Sequence, residues 1–150
     1  MIKYLIHSLL LLFSFMNDSY AETFSLPTAQ TVLDPRAAFI PALSLTDDAL
    51  AVEWQIAPGY YLYKDKTKIY KVSPDKRTRL QPTFATGELV NDQEFGPQTV
   101  YRHYTVMTID TPIYRRLEDS TALEVIFQGC KEGRLCYPPT TVTLSLPDYP

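Results

Sequence analysis

The feature that most restricts the fold of this chain is an alternation of apolar and polar residues at period two, cut at short intervals by proline. In Ala49–Ile56, Leu50, Val52, Trp54 and Ile56 fall on one face, with Glu53 and Gln55 on the other. Leu123, Val125 and Phe127 share a face, as do Val142, Leu144 and Leu146. The stretches Lys68–Ser73 and Val100–Ile109 are rich in β-branched and aromatic residues. Successive side chains of a strand point to opposite faces, so these patterns specify half-buried strands. The 12 prolines are spread so that no long helical window survives, and Arg115–Ser120 has room for one helical turn. Asp34-Pro35, Pro58-Gly59, Ser73-Pro74-Asp75, Gly96-Pro97 and Pro138-Pro139 mark turns. Roughly six to nine short strands in about 115 residues predict an all-β fold, an immunoglobulin-like antiparallel sandwich.

The first 21 residues have the plan of a secretory signal peptide. Lys3 supplies a positive start, Leu5–Met16 is mostly apolar, and Ser19-Tyr20-Ala21 offers a cleavage site. The apolar run is shorter than the ~20 residues of a spanning helix. Residues 22–34 read as a mobile lead-in, and 35–150 as a single domain. A net charge of -3 and a pI of 5.3 leave no basic footprint, which excludes nucleic acid as an expected partner. A monomer is expected.

An exported chain is free to form disulfides. Its two cysteines, Cys130 and Cys136, lie in FQGCKEGRLCYPP with five residues between them. Three roles compete for them. A structural bridge would close a very short loop, with an entropy contribution of roughly 2 kcal/mol. A zinc site wants four ligands, and His103 is the one histidine after the signal peptide, so no metal and no cofactor are expected. Redox exchange needs two sulfurs within bonding distance and one of them accessible. A turn between a strand ending at Phe127 and another beginning at Thr140 provides this, relieved by Gly129 and Gly133 and stiffened by Tyr137-Pro138-Pro139. Lys131 and Arg134 favour a thiolate and Glu132 opposes it, so local charge does not choose the attacking sulfur. Spacing alone leaves the staple and the exchange pair both open.

The segment VIFQGCKEGRLCYPP resembles the active-site hairpin of the N-terminal periplasmic domain of DsbD, the thiol:disulfide interchange family. Gln128-Gly129-Cys130 and Cys136-Tyr137-Pro138-Pro139 carry the two halves of the motif. Trp54-Gln55-Ile56 with Gly59–Lys64, and Asn91–Gly96 with Val100-Tyr101-Arg102, are similar to the family's Gly-Tyr-Tyr-Leu-Tyr strand and its cap-loop segment. The resemblance spans about residues 35–147.

It implies an immunoglobulin-like sandwich with a cysteine-bearing hairpin and a cap loop. Phe95 is the implied cap, within Asp92, Gln93, Glu94, Phe95 and Gly96. Tyr61, Tyr63 and Tyr137 are the implied flanking aromatics. Cys136 is implied to form mixed disulfides with partners and Cys130 to resolve them. Gln93 stands where the family pattern has an acid, and Glu94 is expected beside the thiols, raising their pKa. The implied partners are thioredoxin-fold proteins in the periplasm. They comprise a donor, which is a thioredoxin-like domain or a membrane reductase either separately encoded or missing from this chain, and acceptors among disulfide isomerases and cytochrome c maturation thioredoxins. A competing reading is an exported β-sandwich that binds a glycan or peptide through Tyr60-Tyr61-Leu62-Tyr63, with a purely structural bridge.

Overall fold

The computed structural model describes residues 31–45, 49–110 and 122–146. The expected signal peptide, most of the expected lead-in and the expected turn at 115–120 lie outside them. Val32–Pro150 forms one compact unit, while Met1–Thr31, a second, is almost wholly outside the described residues.

The unit opens with a four-residue helical turn, α1 (Pro35–Ala38). Asp34 caps it, its carboxylate accepting the Arg36 N–H at 2.8 Å, and proline fills a first-turn position where no N–H is missed. Among the described residues, strands then form three antiparallel sheets. The first runs β1 (Phe39–Leu45), β2 (Ala49–Ile56), β9 (Tyr104–Asp110), β6 (Thr83–Phe84). The second runs β13 (Thr140–Ser145), β10 (Ala122–Phe127), β4 (Lys68–Ser73), β5 (Lys76–Leu80). These two form the immunoglobulin-like sandwich. Leu50, Val52, Trp54, Met107 and Ile109 from the first sheet meet Ile69, Leu123, Val125 and Phe127 from the second. Trp54 and Phe127 touch edge to face across the layers, centroids 4.9 Å apart. Each such large side chain contributes about 1.5–3 kcal/mol by leaving water.

The third sheet runs β12 (Leu135–Cys136), β11 (Gly129–Lys131), β3 (Tyr60–Tyr63), β8 (Gly96–Tyr101), β7 (Glu88–Asp92). It continues the second sheet: β10 pairs with β4, and after Gln128 the same chain, as β11, pairs with β3. The cysteine hairpin is therefore anchored on a core strand.

Val100–Ile109 is not one strand. The chain breaks at Arg102-His103, between β8 and β9. His103 takes a left-handed φ of 61°, and the Tyr104 N–H turns back to the Arg102 carbonyl at 2.6 Å. This reversal carries the chain from the third sheet to the first, so His103 is a turn residue and not a strand residue. Pro41 lies within β1, which is tolerated because β1 is an edge strand and one side of it needs no donor.

Gly129 marks where hairpin and core meet. A Cβ there would sit 2.5 Å from the Tyr61 carbonyl oxygen and against the Phe39 ring. Its φ is not the constraint; the space is. Gly129→Ala is expected to cost about 1–3 kcal/mol by overpacking, read as a lower denaturant midpoint. An unchanged midpoint would mean that the hairpin is not seated on Phe39.

Candidate functional site

Side-chain alternation on β3 and β11 separates two faces. Cys130 pairs with Cys136 across the hairpin and with Tyr61 on β3, while Gly129 pairs with Leu62. Leu62, Tyr60 and Tyr137 face the main core. Tyr63, Cys130 and Val100 form a second buried cluster, with Tyr61, Val90 and Cys136 packed on it. The cysteines are joined as a disulfide with Cα atoms 4.0 Å apart. A three-residue turn, Glu132–Arg134, closes their hairpin, with Gly133 at a φ of 65°.

The two sulfurs differ in environment. Cys130 is 1% exposed, whereas Cys136 is partly exposed and lines an open groove of about 530 Å³ with Tyr61, Asp92, Arg102 and Leu135. The Tyr63 hydroxyl oxygen lies 3.1 Å from the Cys130 Sγ and 3.7 Å from that of Cys136. Bridged sulfurs carry no proton, and the phenol has one, which it donates to Asp92 Oδ2 at 2.5 Å. Tyr61 donates to the same oxygen at 2.9 Å.

Asp92 also organises the loop expected to form the cap. It ends β7, and its Oδ1 accepts the N–H groups of Glu94 at 2.9 Å and Phe95 at 3.0 Å. This is an Asx turn, closing a three-residue loop before Gly96 at a φ of 69°. Burial works to raise the Asp92 pKa. Donation from Tyr63, Glu94 N–H, Tyr61 and Phe95 N–H outweighs it, and the pKa falls to about 2. Burial, followed by the Asp92 bond, pushes the Tyr63 phenol well above its usual range. Burial likewise raises Tyr61. At neutral pH the site is thus two neutral phenols on one carboxylate.

The expected site residues are placed as follows. Tyr61 and Tyr63 flank the pair. Phe95 packs edge-on against Tyr63, centroids 5.6 Å apart, and reaches the sulfurs through that ring. The carboxylate beside the sulfurs is that of Asp92, within 4.8 Å of both, and not that of Glu94. Gln93 and Glu94 line the groove. Tyr137 turns the other way. Its ring stacks on Tyr60, its hydroxyl donates to the Leu33 carbonyl at 2.5 Å, and burial with Tyr60 pushes its pKa up to about 12. It follows the end of β12, where its N–H bonds the Gly129 carbonyl at 2.9 Å. Lys131 rests its ammonium 4.5 Å over the Tyr60 ring.

Two residues to which the motif reading gave no role belong here. Arg102 donates to Glu88 at 3.0 Å and, through both terminal nitrogens, to Glu132 at 3.0 and 2.9 Å, tying β7 to the hairpin turn. Lys66 lies over the Phe95 ring, 3.3 Å from its centroid. Neither has a local sequence signal, because each partner is distant in the chain. Asp92 had one, an Asx residue placed ahead of a turn that ends in glycine.

The model of the family described as "Thiol:disulfide interchange protein DsbD, N-terminal" matches residues 29–148. The chain belongs to the DsbD N-terminal domain family. A DsbD from Neisseria meningitidis serogroup A is 38% identical over 111 residues, which is 74% of this chain and 18% of that protein. One from Cronobacter sakazakii is 33% identical over 139 residues, 93% of this chain and 23% of that protein. The chain therefore spans less than a quarter of these relatives. The reduced-form crystal structure of the N. meningitidis DsbD N-terminal domain is similar, with 30% identity and a TM-score of 0.58 over 77% of this chain and 89% of that one. So is a structure of the complex between the DsbD N-terminal and PilB N-terminal domains from N. meningitidis, with 32% identity and a TM-score of 0.59 over 78% and 88%. Membership of the DsbD N-terminal family and the Cys130–Cys136 bridge together support thiol–disulfide exchange.

Because the Asp92 pKa is depressed, its contribution to stability is full above the unfolded carboxylate value of ~3.9 and is lost as pH falls toward about 2. Asp92→Asn is expected to lose about 1–2 kcal/mol at pH 7. The gap to wild type should close between about pH 4 and pH 2, read by thermal melts across pH. A gap that stays constant over this range would mean that Asp92 does not act through its charge.

Proposed function

We propose that this domain relays electrons by thiol–disulfide exchange, meeting its partners through Cys136 and resolving through Cys130. The observation that carries the reading is the asymmetry of the pair: Cys130 is sealed beneath Tyr63 while Cys136 faces an open groove. A thiolate approaches a disulfide along the S–S axis and needs access to one sulfur only.

In the receiving half, a donor thiolate attacks Cys136 Sγ. A mixed disulfide forms, the Cys130–Cys136 bond breaks, and its electron pair leaves on Cys130. That thiolate lies against the Tyr63 hydroxyl and near the Asp92 carboxylate. Repulsion from Asp92 favours protonation, and the proton reaches Cys130 from the groove that Asp92 and Cys136 line. The donor's second thiol then displaces Cys136, so the donor is oxidised by two electrons and the pair reduced by two. In the delivering half, the Cys136 thiolate attacks an acceptor disulfide. Cys130 gives up its proton along the same path, attacks Cys136 Sγ, and expels the acceptor thiolate. No cofactor enters. The Asp92 charge keeps the resting thiols protonated, which slows accidental oxidation, and Phe95 serves as a cap that partners displace.

The proposed setting is the periplasm, reached by the signal peptide of residues 1–21, with residues 35–150 acting as a monomeric domain. The partners are thioredoxin-fold proteins, and the complex of a related domain with the PilB N-terminal domain supports a protein partner. The donor is a thioredoxin-like domain or membrane reductase, and the acceptors are disulfide isomerases or cytochrome c maturation thioredoxins. Tyr60 and Tyr63 are buried and Tyr61 is bonded to Asp92, which leaves little displayed aromatic surface for a glycan or peptide.

Cys130→Ser is expected to strand mixed disulfides on Cys136, seen as covalent adducts with thioredoxin-fold proteins on non-reducing gels of a periplasmic extract. Cys136→Ser should give none. Adducts on Cys130 alone would reverse the assignment, and their absence from both variants would remove it.

A further inference from the structure

We propose that Lys66 is the latch of the cap, a positioning residue whose ammonium holds the Phe95 ring down on Tyr63; this rests on the reading of Phe95 as a displaceable cover. The Lys66 Nζ lies 3.3 Å from the Phe95 ring centroid and 5.6 Å from that of Tyr63. The two rings meet edge to face, 5.6 Å apart. Lys66 thus bridges the strand that carries Tyr63 and the loop that carries Phe95.

The base and the tip of the cap are held by different contacts. At the base, Asp92 accepts the Glu94 and Phe95 N–H groups and fixes the loop backbone. Those bonds leave the Phe95 side chain free to swing, and the ring is 37% exposed. At the tip, the ring is held by the Tyr63 edge and by the Lys66 charge on its face. Lys66 is itself well anchored. It lies in the link between β3 and β4, where the Thr67 N–H bonds the Lys64 carbonyl at 3.1 Å and the Thr67 hydroxyl bonds the Tyr63 carbonyl at 2.7 Å.

A cation over an aromatic face is worth enough to favour a closed lid and too little to lock it. When the ring leaves, the ammonium regains its water, so opening strands no buried charge. A latch of this kind suits a cover that a docking protein must lift at every turnover. It also has a signature distinct from plain electrostatics. A lysine acting only as a nearby positive charge would lower the thiol pKa, and its removal would slow alkylation at neutral pH. Loss of a latch does the opposite, because it exposes the sulfur.

The test measures alkylation of the reduced protein by iodoacetamide across pH, separating the limiting rate of the thiolate from the apparent thiol pKa. Lys66→Met is expected to raise the limiting rate about 2- to 30-fold, with Lys66→Arg close to wild type. Phe95→Ala should accelerate at least as much, and Lys66→Met should add nothing in that background. If Phe95→Ala accelerates while Lys66→Met leaves the limiting rate unchanged or lower, the latch is overturned and the cap stands. The same holds if Lys66→Met gives its full increment in the absence of the Phe95 ring. If Phe95→Ala changes nothing, the cap reading fails and takes the latch with it.

Discussion

The Asp92 carboxylate is the joint on which the site depends. One oxygen accepts the Tyr61 and Tyr63 hydroxyls, and the other accepts the Glu94 and Phe95 N–H groups. Wall and cap are thereby fixed to a single anion, placed within 4.8 Å of both sulfurs. The Tyr63 hydroxyl lies against the bridged sulfurs without donating to them, since its only proton is committed to Asp92. The arrangement explains how a chain with glutamine at position 93 keeps a negative charge at the pair. The acid that matters is one residue earlier and is held ionised by its own donors.

Geometry sets the two cysteines apart. Cys130 sits on β11, which continues a core strand, and Gly129 beside it allows the hairpin to pack directly on Phe39. That half of the pair is rigid and sealed. Cys136 sits on a two-residue edge strand beside the groove, where Arg102 ties β7 to the hairpin turn. In the proposed relay, the sealed half resolves and the accessible half meets partners. A staple whose only task was to hold the sandwich together would have no need of this asymmetry, nor of a joint between phenols and carboxylate.

Much of the fold was legible because it is written locally. The alternation in Ala49–Ile56 and the β-branched run Lys68–Ser73 coincide with β2 and β4 residue for residue. The Cys130–Cys136 hairpin followed from two flanking strands and a short loop. What stayed hidden has a physical reason in each case. β1 contains Pro41, which reads as a breaker until its edge position is known. β5, Lys76–Leu80, is mostly charged and shows no apolar alternation. The break at His103 needs a left-handed residue that carries no glycine signal. In the site, the family motif located Tyr61, Tyr63, Asp92 and Phe95, but it could not orient them. The Tyr61–Asp92 and Tyr63–Asp92 bonds span 31 and 29 positions, and Tyr137 turns into the core, toward a Leu33 carbonyl 104 positions away. Lys66 and Arg102 act across separate strands, so nothing in their own neighbourhoods announces them.

The central claim is that Cys130–Cys136 is a working bridge carried by a fold that does not need it. The most direct measurement exposes the oxidised protein to reduced thioredoxin, following the thiols by mass and the fold by circular dichroism. Reduction of the bridge with the β-sheet spectrum unchanged is expected. A bridge that stays intact while an exposed control disulfide is reduced, or a domain that unfolds once its thiols are free, would contradict it.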